Sequence, residues 1–274
     1  MGRVEGKVAF VTGIGLGQGR AHAVRLAEEG AMVVGIDATE DYACIPYPMA
    51  TEDDVDETVR MVEEAGGRIM FRKADVRVRS QLEAVVAEAY ADLGGIDIVV
   101  ANAGICPASN SFWDIPADRW DTVFDVDCKG VWNTVSAAAP RMIDSGRSGS
   151  IVMTSSLLGM RAGANLADYS SAKHAVIGLM RSCSAELAPH MIRVNAVCPN
   201  SVNTNMINND AIFRLFRPDL ENPTREDTVQ GFMAIQALPI PWLEPEDIAN
   251  AVLWFASEES RYVTGVYMPV GAAI

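Results

Sequence analysis

The sequence predicts an α/β protein built on an open, doubly wound parallel sheet with helices on both faces. Three observations predict it. Short runs rich in β-branched residues alternate with longer stretches of helical periodicity, the succession that right-handed crossovers turn into a parallel sheet. Several of the short runs are apolar throughout, as in Ile98-Val-Val-Ala101, which suits strands buried on both faces. A glycine cluster follows the first run directly, a nucleotide-type turn that favours an open sheet over an eight-stranded barrel.

In chain order the strands are expected at 7–12, 32–37, 68–74, 96–101, 150–155, 192–197 and 265–270, seven in all. The helices are expected at 18–29, 52–65, 80–93, 117–144, 168–188 and 246–256. Ala23, Leu26 and Ala27 give the first helix its apolar face, and Trp120, Val123, Phe124, Cys128, Val131 and Val135 do so in the long fourth one. Two stretches exceed ordinary loop length: an insertion at 38–51, broken by Pro46 and Pro48, and an excursion at 199–243. Both follow C-terminal strand ends, where open sheets bind ligands, so the second reads as a substrate lid. No linker or repeat divides the chain, and one domain over 1–274 is expected.

Composition excludes several classes. The net charge is −14 with no block of Lys and Arg, which argues against a nucleic-acid partner. No apolar run is long enough to span a bilayer, and the N-terminus lacks a signal-type core, so a cytoplasmic protein is expected. Cys44, Cys106, Cys128, Cys183 and Cys198 have no metal-ligand spacing and read as buried free thiols; no metal site is expected, and His22, His174 and His190 lie on separate segments.

The chemistry starts at Thr12-Gly13-Ile14-Gly15-Leu16-Gly17-Gln18-Gly19, between a strand and a helix. Glycines there permit a tight turn and a close approach of backbone to a pyrophosphate, which then sits on the free N–H groups of a helix start. Asp37, at the end of the second strand, can accept from adenosine ribose hydroxyls and repels a 2′-phosphate, so NAD is favoured over NADP. Asp75-Val76 and Asn102-Ala103-Gly104 end the next two strands on the same sheet edge. Tyr169 and Lys173 lie one helical turn apart on one face. A free phenol is too weak an acid for catalysis at neutral pH, and a nearby ammonium and an oxidised nicotinamide both stabilise its phenolate. Ser156, after the fifth strand, can hydrogen-bond a substrate oxygen opposite the phenol.

In this order the motifs resemble those of the short-chain dehydrogenase/reductase family over essentially the whole chain. The resemblance implies a single-domain Rossmann fold, a sheet ordered 3-2-1-4-5-6-7 and a homotetramer. It implies Tyr169 as acid/base, Lys173 on the ribose, Ser156 on the substrate oxygen, and Thr204, after Pro199 and near Val202, on the nicotinamide carboxamide. Gly2-Arg-Val-Glu-Gly-Lys-Val, Gln18-Gly-Arg-Ala-His22, Tyr47-Pro-Met-Ala50 and Phe213-Arg-Leu-Phe-Arg-Pro-Asp-Leu-Glu-Asn-Pro-Thr224 look like the actinobacterial carveol-dehydrogenase-like, mycofactocin-coupled subgroup. That likeness implies tightly held NAD reoxidised by an external redox carrier, with the insertion folded over the adenosine half.

One position departs from the pattern. Asp127 holds a place usually taken by asparagine, inside the apolar stripe of the fourth helix, where a carboxylate is costly unless paired or protonated. Three readings stand: it pairs with Lys173, it raises the proton affinity of Tyr169, or the position is a variant or degenerate one. Asn200 stands where glycine is usual, and asparagine tolerates a positive φ there. The apolar lid residues Met206, Ile207, Ile212, Phe213, Leu215, Phe216, Phe232, Met233 and Trp242 suit a terpene-like or alicyclic alcohol or ketone. A 3-oxoacyl or steroid reductase, or a catalytically weak NAD-binding sensor, are the alternatives.

Overall fold

In the computed structural model, residues 2–107, 110–161 and 163–271 are described; the ends of the expected 1–274 domain at 1 and 272–274 lie outside them. The strands are β1 (Val8–Thr12), β2 (Met32–Asp37), β3 (Arg68–Lys73), β4 (Ile98–Ala101), β5 (Gly149–Thr154), β6 (Ile192–Pro199) and β7 (Tyr267–Val270). They form one parallel sheet of seven strands in the order β3-β2-β1-β4-β5-β6-β7. This is the single-domain Rossmann fold expected. The strand order reverses between β1 and β4, which opens a crevice above their C-terminal ends.

Side chains alternate across each strand, so a strand that is apolar at every position feeds two cores. Phe10, Val34, Val99, Ile151 and Val194 pack on one face. There they meet α3 (Arg79–Leu93), α5 (Gly130–Asp144) and α6 (Ala167–Leu187). Ala9, Val11, Val33, Val100, Val152 and Val197 pack on the other face. They meet α1 (Gly17–Glu28), α2 (Glu52–Glu64) and α9 (Pro245–Ala256). No helix among the described residues is long and apolar enough to cross a membrane.

Three details differ from the sequence-based expectation. The helix expected at 117–144 is α4 (Ala117–Phe124) and α5 joined by a wide π-type turn at Asp125–Lys129, with Asp127 in its middle. Such turns widen the helix by one residue and redirect a side chain, which hydropathy periodicity does not register. The excursion after β6 carries α7 (Asp210–Phe216) and α8 (Arg225–Ile235). Asn209 caps the first through Ile212 N, and a reciprocal Thr224–Asp227 box caps the second. Asn200 takes no positive φ. Its side-chain amide instead donates to Ile235 O at 2.8 Å and Gln236 Oε1 at 3.0 Å, tying the far end of the excursion to its beginning. Of the five free cysteines, Cys106 and Cys198 are buried and the other three half-buried. Among the described residues no cluster of His, Cys, Asp and Glu could hold a metal ion.

Candidate active site

The site is a cavity of about 510 Å³ over the C-terminal ends of the strands. Its floor begins at the glycine turn after β1. Gly13 has φ +75° and Gly17 φ +52°, and a Cβ on Gly19 would lie 1.8 Å from Gly13 O, so only glycine lets α1 start this close to the strand. Leu16, just before α1, has extended backbone and gives no side-chain cap, leaving the first N–H groups of the helix facing the cavity mouth. Thr12 Oγ1 accepts from Asn102 N at 3.0 Å and Ala103 N at 3.1 Å, and Asn102 Nδ2 donates back to Thr12 O at 3.1 Å. These bonds pin the ends of β1 and β4 side by side.

Asp37 lines the cavity at the end of β2, its Oδ2 accepting from Gly15 N at 2.9 Å and its Oδ1 from Thr39 N at 3.1 Å. The insertion at 38–51 crosses above it without helix or strand. Asp75 does not line the cavity: Arg77 N and Nε donate to its two oxygens at 2.8 and 2.7 Å, and the Arg77 guanidinium lies over the Tyr42 ring at 4.8 Å. Val76 does line it. Ile14 and Gly15 act from beneath, Ile14 fully buried against Gly35 and Gly15 against Ala50.

At the other end α6 presents Tyr169 and Lys173, both buried, toward β5. Lys173 Nζ donates to Thr154 O at 3.3 Å, sits 3.1 Å from Asp127 Oδ2 and lies 5.5 Å from the Tyr169 ring centroid. Ser155 Oγ donates to Lys173 O at 2.8 Å, which locks the end of β5 to α6. Ser156 follows, lining the cavity with Tyr169, its Oγ accepting from Leu158 N at 3.1 Å. Burial pushes the Tyr169 phenol well above its usual range; Cys106 and Asp127 add to this, and Ser156 opposes it. Pro199, Val202 and Thr204 close the cavity over Gly17, whose added Cβ would come within 2.8 Å of Thr204 Cγ2. Met206, Ile207, Ile212, Leu215, Phe216 and Phe232 form its apolar wall; Phe213, Met233 and Trp242 do not reach it.

A glycine-rich cradle, a free helix start and a buried phenol–ammonium pair in one cavity suit dinucleotide redox chemistry. Comparison with known proteins agrees. A family model described as enoyl-(acyl carrier protein) reductase matches residues 13–272. A (−)-trans-carveol dehydrogenase of Rhodococcus erythropolis is 48% identical over 99% of this chain and 98% of its own. The crystal structure of a carveol dehydrogenase from Mycobacterium avium in complex with NAD superposes with a TM-score of 0.96 at 48% identity, covering 98% of both chains. A short chain dehydrogenase from Mycobacterium paratuberculosis bound to NAD superposes at 0.89 with 43% identity and the same coverage. The chain belongs to the short-chain dehydrogenase/reductase family.

Within this family member, three features escaped sequence reasoning. Tyr47, from the insertion, lines the cavity and accepts Cys106 N at 3.0 Å on its hydroxyl. Cys106 in turn packs with Tyr169, Leu166 and Met206. A tyrosine between two prolines carried no periodic signal. Arg119 and Asp168 form a buried ion pair at 2.7 Å, and Asp168 Oδ1 also accepts Tyr169 N at 2.9 Å. Arg119 Nη1 donates to Asn110 Oδ1 at 2.6 Å, so one guanidinium ties the segment after β4 to the first turn of α6. The lid is closed at its base, where Leu243 N donates to Ser201 O at 2.9 Å and Asn203 N to Leu243 O at 2.8 Å.

Proposed function

We propose that the chain is a cytoplasmic NAD-dependent dehydrogenase that interconverts an apolar secondary alcohol, alicyclic or terpene-like, and its ketone. The observation that carries this reading is the convergence of Ser156, Tyr169 and Lys173 with the glycine turn and an apolar wall on one cavity. The cradle suits NAD because Gly13, Gly17 and Gly19 let the turn pack tightly against Ala103, Thr204 and its own backbone, where any side chain would collide. Gly15, Leu16 and Gln18 complete that turn, with Ile14 supporting it. Asp37 keeps acceptor capacity at the place of a ribose diol, which supports NAD over NADP. Val76 and Asn102-Ala103-Gly104 serve as the side wall, Asp75 stays outside it holding Arg77 against Tyr42, and Pro199, Val202 and Thr204 hold the carboxamide end.

Bound in this cradle, NAD supplies the acceptor or donor of one hydride. The protein handles the proton. In oxidation Tyr169 Oη takes the proton of the alcohol hydroxyl, and in reduction it returns one to the carbonyl oxygen. Ser156 Oγ holds that same oxygen, stabilising its developing charge. Lys173 anchors the ribose and faces the phenol ring, and Asp127 fixes Lys173 from behind. The apolar wall excludes water and selects hydrocarbon over polar substituents.

Carveol heads the panel of cyclic secondary alcohols that tests this, because a 48% identical relative is named for it. Growth of reduced-nicotinamide absorbance with NAD, and little with NADP, is expected. Bound NAD that no alcohol reduces, beside an active control homologue, would favour the weak sensor reading. Turnover of 3-oxoacyl thioesters or steroids alone would favour the reductase reading, which the description of the matching family model makes worth including. A homotetramer in sedimentation, and NAD that survives desalting and is reoxidised only by an artificial carrier, are the further expectations of the subgroup likeness.

A further inference from the structure

Asp127 is a carboxylate with no exposure to solvent, set in the π-type turn between α4 and α5. Its Oδ1 accepts Ile105 N at 2.8 Å. Its Oδ2 accepts no directed hydrogen bond and faces the Lys173 ammonium at 3.1 Å. Gly104 seals the pair: a Cβ there would stand 3.1 Å from Nζ and 3.5 and 3.6 Å from the two carboxylate oxygens. Lys173 is therefore one ammonium shared between a carboxylate behind it and the Tyr169 ring in front, 5.5 Å away.

We propose that Asp127 sets the pH at which this site runs in each direction. Its carboxylate offsets the ammonium charge that would otherwise draw the proton off Tyr169. The site is then poised as a proton donor to carbonyls at neutral pH and as a proton acceptor from alcohols only at alkaline pH. This rests on the proposed dehydrogenase reading and deepens it.

The surroundings leave these two charges in control. Asp168, beside Tyr169 on α6, is matched by Arg119 of α4 at 2.7 Å. Cys106, in the segment after β4, is pushed up to about 12 by burial, and burial likewise raises Cys128 on the turn itself and Tyr47 from the insertion, so all three stay neutral. Burial also pushes the Asp127 carboxyl upward, while the Lys173 charge and the Ile105 amide pull it back. Oδ1 takes the Ile105 amide, while Oδ2 lies against the Lys173 ammonium with no acceptor to receive an acid proton, so the geometry favours the ionised form. At low dielectric such a charge is felt across the site.

The proton balance is simple. Oxidation moves the hydroxyl proton to a phenolate and the carbon-bound hydrogen to NAD as hydride; reduction moves a phenol proton to the carbonyl oxygen and a hydride to carbon. Lowering the proton affinity of Tyr169 shifts both rate limbs to lower pH and leaves the overall equilibrium untouched.

Asp127→Asn is the test. Ultraviolet difference titration of Tyr169 in cofactor-free protein, with Tyr169→Phe protein as blank, reads the phenol directly. Its midpoint should fall by on the order of one pH unit in Asp127→Asn, and the oxidative pH–rate limb should move with it. Superimposable titrations overturn the proposal. Carbon-13 NMR of labelled aspartate in the unmutated protein needs no variant: Asp127 ionised at neutral pH is expected, and a protonated Asp127 there overturns it. If no alcohol or ketone turns over, the function reading fails while the titration still decides the role of Asp127.

Discussion

Tyr169 sits where burial alone would keep its proton on, and only charge and hydrogen bonding around it can take the proton off. Ser156 after β5 and Lys173 on the same helix act in that direction, and Asp127 behind the lysine acts against it. Tyr169→Phe keeps the ring that packs with Cys106 and Leu166 and removes the titrating oxygen. It should lower kcat by roughly 10²–10⁴ while leaving NAD binding within a few-fold, as calorimetry and steady-state rates will show. Gly19→Ala is the opposite case. Its methyl group would meet Gly13 O at 1.8 Å, so the helix start must move and NAD affinity should be lost with no chemistry altered. Fluorescence titration with reduced NAD checks it, and unchanged affinity would show that the turn yields.

The elements matter through how they hold those residues. The first turn of α6 is fixed by Asp168, which accepts Tyr169 N and carries the buried Arg119 ion pair. Arg119→Met would strand a fully buried carboxylate, and such breakage costs about 3–5 kcal/mol. We expect that loss in urea unfolding, with kcat falling as well because Tyr169 loses its register. Adding Asp168→Asn should restore a good part of the stability, since the uncompensated charge is then gone. The lid is secured differently. Phe216 and Phe232 lie 4.2 Å apart between ring centroids, and the Arg225 guanidinium stacks on Trp242 at 4.0 Å. Its short helices start at recognisable caps, Asn209 and Thr224, yet proline and mixed polarity around them gave no helical period, because packing on the body selects them.

For the whole molecule, acid stability should carry the mark of His22. This residue of α1 is fully buried, neither ring nitrogen has a hydrogen-bond partner, and burial lowers its pKa from 6.5 to about 3, with Asn102 opposing weakly. The unfolded chain takes up a proton near pH 6.5 that the folded chain refuses until about 3. Stability is thus fully present above 6.5 and falls with acid across that window, at about 1.4 kcal/mol per pH unit for one proton. His22→Leu should remove that part of the slope. Parallel urea titrations at several pH values would expose an unchanged difference between the two proteins, which would rule the assignment out.

The sheet was legible because burial on both faces writes itself locally: Ile98-Val-Val-Ala101 and Val8-Ala-Phe-Val are apolar at every position, and only a doubly covered strand needs that. The glycine turn, Tyr169 with Lys173 one turn later, and the awkward burial of Asp127 were legible for the same reason, since spacing along a strand or helix fixes them. What joins distant segments was not. Tyr47 meets Cys106 across 59 residues, Arg119 meets Asp168 across 49, and Asp127 meets Ile105 across 22. Such contacts depend on where the sheet order and the π-type turn carry each segment, and no periodicity encodes that. The sequence by itself therefore determined the architecture and the candidate groups of the site. Only the tertiary structure decided that the carboxylate of Asp127 lies against the ammonium of Lys173, because burial forces charges to find partners wherever the chain happens to bring them.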